Sequence, residues 1–67
     1  MTIFRRFREH VGWTQVQLAE ALGTSKQRVW WWERGDRVCP PDDAHKFISV
    51  ARDKGFPASL EDVYPPP

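Results

Sequence analysis

Residues 14–35, TQVQLAEALGTSKQRVWWWERG, restrict the fold more than any other part of the chain, because they hold two short helical runs joined by a turn of only a few residues. Thr14 is a good N-cap, and Leu18, Ala19 and Leu22 then recur at helical spacing over about residues 14 to 22. Gly23 supplies a C-terminal cap conformation that no Cβ obstructs. Ser25 or Thr24 caps the next helix, which runs to Glu33 or Arg34 and is ended by Gly35. Ala19 is small enough for the two helices to cross closely, and Leu22 and Val29 lock them together. The predicted unit is a helix-turn-helix.

Three consecutive tryptophans in the second of these helices cannot share one face, since neighbours are rotated by about 100°. On the wheel Val29, Trp32 and Ser25 fall together on the inner side. Gln27, Trp31 and Arg34 point away from the core, and Trp30 lies at the boundary between the two faces.

The flanking sequence supplies the rest of an all-α bundle. Phe4, Phe7 and Val11 form one stripe of a first helix ended by Gly12. In DRVCPPDD, Pro41 suits a first helical turn and is followed by Asp42 and Asp43, where the helix dipole favours acids. Ala44, Phe47, Ile48 and Ala51 continue this fourth helix to a stop at Gly55. Ser59 then caps a short SLEDV segment whose Leu60 and Val63 are expected to close the core, and YPPP reads as a loose extended tail. Trp13 and Phe56 are expected in the core. A compact four- to five-helix bundle over residues 1–64, with an extended tail at 65–67, is the reading that follows.

At 67 residues the chain forms one small domain in which nine aromatic residues offset the limited core. Its net charge of +1 is unevenly spread. Residues 1–38 hold seven Lys and Arg against four acids, and residues 39–67 hold three against five, so a polyanion would meet the first half. The lone Cys39 fits a reducing cytoplasm, with pairing to a second chain as the alternative. No run approaches a membrane span, and MTIFRRFREH lacks the apolar core of a signal peptide, so a cytoplasmic protein is expected. His10 and His45 lie outside any metal-ligand pattern, and neither a glycine-rich phosphate loop nor a nucleophile elbow occurs. Neither enzyme activity nor a cofactor is expected.

The segment TQVQLAEALGTSKQRVWWWERG resembles the helix-turn-helix of phage repressor and Cro proteins in the lambda-repressor-like superfamily. The continuation CPPDDAHKFISVARDKGFPASLEDVYP is similar to the Cro/YdaS-like branch, so the likeness spans residues 14–64. It implies a domain that binds double-stranded operator DNA, usually as a homodimer, with its third helix entering the major groove N-terminus first. By position, Lys26, Gln27 and Trp31 would read base edges, Gln27 pairing with adenine and Lys26 donating to guanine. Gln15, Thr24, Ser25, Arg28 and Arg34 would contact phosphates, with Arg37 as an outlying candidate. Arg8 and Glu33 stand where related repressors pair the first and third helices. Trp31 departs from the family, in which a polar reader is more usual there.

Trp30 is the residue best suited to a protein contact, because exposed tryptophans are enriched at interfaces. Two functions are therefore carried forward: a Cro-like repressor acting on an operator, and a YdaS-like antitoxin or other protein-binding module that covers a toxin with its tryptophans.

Overall fold

The computed structural model describes residues 2–64, which form five helices and no strand. They are α1 (Ile3–Val11), α2 (Gln15–Leu22), α3 (Lys26–Arg34), α4 (Pro41–Asp53) and α5 (Leu60–Val63). Local chemistry sets most of these boundaries. The hydroxyl of Thr14 accepts from the Gln17 amide at 3.2 Å, and the Gln17 side chain accepts from the Thr14 amide at 2.8 Å, closing a reciprocal capping box at the start of α2. At the start of α3 it is Ser25, rather than Thr24, that accepts from the Arg28 amide, at 3.2 Å. Pro41 occupies the first turn of α4, and Asp42 and Asp43 follow it near the positive end of the helix dipole.

Between α2 and α3 the chain reverses through Gly23 at φ 69°, a left-handed conformation that costs a residue with a Cβ about 1–2 kcal/mol. The Thr24 amide then donates to the Ala19 carbonyl at 2.9 Å, which ties the turn back onto the helix it leaves. So short a connection leaves α3 no freedom to drift from α2, and the two pack directly on each other.

The core is aromatic at its centre. Phe7 is fully buried and meets Trp13, Phe47 and Phe56 edge-on, with ring centroids 5.5–5.6 Å apart. Phe4 lies 4.6 Å from Phe47 and 5.6 Å from Trp32. Leu18, Ala19, Leu22, Val29, Ala44, Ile48 and Ala51 fill the space around these rings. Trp32 is thereby the inward member of the tryptophan run, as the wheel requires. Ser25, placed on the same side of the wheel, is exposed because its cap position lies outside the helix proper.

The C-terminal part differs from expectation in two places. Leu60 is 42% exposed and does not close the core, which is completed there by Val63 and Tyr64. Tyr64 does not belong to a loose tail: its ring packs on the core and its hydroxyl donates to the Cys39 carbonyl, joining the end of α5 to the loop before α4. The aromatic ring that follows α5 offers the core more apolar area than Leu60 does. The proposed tail at 65–67 lies outside the described residues.

Candidate nucleic-acid interface

Helix α3 is fixed to the body of the domain by its inner face and by one ion pair. Val29 and Trp32 are buried beneath it. At its far end Glu33 receives Arg8 of α1 in a two-pronged contact, Nε to Oε2 at 2.8 Å and Nη2 to Oε1 at 2.9 Å. The Glu33 side chain is only 6% exposed and that of Arg8 20%. Arg8 also donates to the Trp13 carbonyl at 3.3 Å, and its hydrogen bond to Glu33 holds its guanidinium still more firmly in the charged form. This arrangement anchors the long axis of α3 against α1.

The opposite face of α3 is open. Lys26, Gln27 and Arg28, its first turn, are all exposed. None of the three side chains is engaged in an ion pair or hydrogen bond among the described residues. Lys26 and Gln27 share a shallow concavity with Trp30. A second groove brings Lys26 alongside Gln15 and Thr14 at the start of α2, so the N-termini of both helices open onto one side of the molecule. Each N-terminus carries unpaired backbone N–H groups and partial positive charge, and together with Lys26 and Arg28 they form a surface suited to an anionic backbone.

The remaining predicted residues are placed less simply. The Gln15 side chain is half-buried and turned partly inward, with its Nε2 making a long 3.5 Å contact to Glu33. The Thr24 hydroxyl oxygen is buried without a hydrogen-bond partner, so it is not presented to a phosphate as expected; the tight turn draws it inward. Ser25 is exposed and caps its own helix through its hydroxyl oxygen, leaving the hydroxyl hydrogen free to donate.

Two tryptophans are covered by arginines. Arg34 lies over Trp30 at 4.5 Å from the ring centroid, and Arg37, in the loop after α3, lies over Trp31 at 4.0 Å. Trp31 is consequently half-buried, whereas Trp30 remains 38% exposed. The wheel ranks these two the other way, because it has no knowledge of the loop that returns Arg37 across the helix. The Arg34 guanidinium also pairs with Asp36, Nε to Oδ2 at 3.0 Å. Asp36 is a residue that sequence reasoning did not single out. Its nearness in sequence to Arg34 is visible, but its direction depends on the chain reversal at Gly35.

Cys39 stands apart from this surface. It is buried, and burial together with the Asp43 carboxylate pushes its thiol up to about 12. Pairing with a second chain, the alternative open to a lone cysteine, is inconsistent with that position. Among the described residues no group of His, Cys, Asp and Glu is arranged to hold a metal, and no helix is long and apolar enough to cross a membrane.

A family profile described as a helix-turn-helix domain matches residues 3–52, fifty of the 67 positions. The chain belongs to the helix-turn-helix domain family. The matched region contains α1 to α3 and nearly all of α4, so the Arg8–Glu33 anchor, the tight turn and the open face of α3 all lie within this DNA-binding domain. No curated protein and no solved structure matches the chain significantly.

Proposed function

We propose that the helix-turn-helix domain is a sequence-specific transcriptional regulator of the Cro-like repressor type, which places the first turn of α3 in the major groove of operator DNA. The observation that carries this reading is the uncommitted set Lys26, Gln27 and Arg28 on the outer face of a helix whose other face is locked by Val29, Trp32 and the Arg8–Glu33 pair. A helix is about 10–12 Å across with its side chains and the major groove is about 12 Å wide, so α3 is the element of suitable shape and charge. Gln27 reads adenine through its amide and Lys26 donates to guanine. Arg28, Ser25 and the start of α2 at Gln15 meet phosphates, joined on the outer side by Arg34 and Arg37. Trp31 contributes the edge of its ring to a thymine methyl or a sugar. Two copies on a pseudo-palindromic site would place their α3 helices about 34 Å apart.

A second reading, a protein-binding module of the antitoxin type, is favoured by one feature, the exposed Trp30 beside Gln27. Salt separates the two. Binding to duplex DNA through several phosphates falls steeply as salt rises from about 50 to 200 mM, with a slope of about −0.9 per phosphate contact in log K against log salt. Attachment of a protein through an apolar indole surface changes little over the same range. Duplex binding with such a slope supports the regulator. No duplex binding, together with salt-insensitive capture of a partner protein through Trp30, supports the module instead.

A further inference from the structure

Among the described residues, the cations at the two ends of α3 are not in the same state. Lys26 and Arg28 on the first turn have no carboxylate partner, whereas Arg34 on the last turn is held at 3.0 Å by Asp36. The hold has a structural cause. After Gly35 reverses the backbone at φ 79°, the Asp36 amide donates to the Trp31 carbonyl at 3.1 Å, which sets Asp36 back beside the final turn and within reach of Arg34. The Trp30 ring, one turn earlier on the same side, supports the guanidinium at 4.5 Å. Arg34 therefore sits between an indole face and a carboxylate, in line with Gln27 two turns below it on the outer stripe.

A guanidinium accepts a carboxylate or a phosphate in much the same planar, two-pronged manner. Building on the DNA-binding reading above, we propose that Asp36 occupies in the free protein the place that a DNA phosphate takes on Arg34 in the complex, and so acts as a built-in competitor that lowers affinity for all duplexes alike. Trp30 keeps the guanidinium in position during the exchange, so Arg34 gives up one oxygen partner for another without relocating. Both side chains of the pair are about half exposed, 57% and 48%, and such pairs are weak, so a phosphate displaces the carboxylate readily. The competition acts on the sequence-independent part of binding. Asp36 is a positioning residue that sets the overall strength of attachment and leaves the preference read by Lys26 and Gln27 unchanged.

The test is a set of anisotropy titrations of the full chain on a labelled duplex of random sequence, and on any duplex it prefers, using the wild type, Asp36→Asn, Arg34→Ala and the double variant. Asp36→Asn is expected to tighten binding about 1.5- to 5-fold on every duplex, the range expected when a weak exposed pair no longer competes. The gain is expected to vanish when Arg34 is already alanine. Asp36→Ser, which also removes the charge, should behave as Asp36→Asn does, and far-UV circular dichroism verifies that each variant is folded. Binding by the wild type with no gain in Asp36→Asn would overturn the proposal. So would an equal gain in the Arg34→Ala background, which would mean that Asp36 acts only as bulk negative charge. Absence of duplex binding by the wild type removes the DNA-binding reading itself, and this inference with it.

Discussion

At the scale of single residues, the three tryptophans in a row have three different environments. Trp32 packs on Phe4, Trp31 is roofed by Arg37, and Trp30 is partly open beneath Arg34. Helical spacing is enough to separate Trp32 from the other two, because its consequences are local. The roof over Trp31 depends on where the chain goes after Gly35, which no local pattern encodes. Gln27 and Arg28 are adjacent but differ in what they are expected to do. Gln27→Ala should relax preference at one base position, at a cost of about 1–3 kcal/mol on the preferred duplex, while Arg28→Ala should weaken binding to preferred and random duplexes equally; parallel titrations on both measure the difference. Equal losses on both duplexes for Gln27→Ala would remove it from the reading set. Cys39 gives a prediction in pH. Its thiol stays protonated in the fold up to about 12 but ionises at about 8.5 when exposed, so the unfolded form is favoured progressively as pH rises from about 9 toward 12. Tyr64, whose pKa burial also raises, acts in the same direction at the upper end of that range. Urea denaturation at pH 7, 9 and 10.5 should show falling stability, with a shallower fall in Cys39→Ala.

At the scale of elements, most of the architecture is legible because each helix carries its own start and stop. Thr14, Ser25 and Pro41 begin helices, and the glycines at 12, 23 and 35 follow their ends, as sequence patterns require. What patterns do not reveal is how a short terminal helix chooses its inward side. Leu60 and Val63 are both expected inward; Val63 packs on the core, whereas Leu60 stays exposed and Tyr64 covers the core in its place, its hydroxyl donating to the Cys39 carbonyl. The link between α1 and α3 is a different matter, since Arg8 and Glu33 are 25 residues apart and only the resemblance to repressors pairs them. Removing one partner of a largely buried pair leaves a charge without its counterpart. Arg8→Ala, which strands the nearly buried Glu33 carboxylate, is therefore expected to cost about 3–5 kcal/mol and to appear as a marked fall in Tm. A change within ±0.5 kcal/mol would show that the pair does not anchor α3.

At the scale of the whole molecule, one apolar core packs the helices together and takes in the inner face of α3 through Val29 and Trp32. Phe7, Trp13, Phe47 and Phe56 form the base, α1 and α2 brace α3, and the face left over collects the uncommitted polar and basic side chains. The uneven charge along the sequence pointed to this half of the chain. It did not distinguish cations free to bind, such as Lys26 and Arg28, from Arg34 and Arg37, which are already in contact with groups of the protein itself. The most direct check is enrichment of duplexes from a random pool by the full chain, followed by titration of the enriched sequence against a scrambled one at about 150 mM salt. The expected result is a single enriched motif bound at least about 10³-fold more tightly than the scramble, with that preference diminished in Gln27→Ala. Recovery of no common motif, with equal affinity for both duplexes, would contradict the assignment of α3 as a reader of DNA sequence.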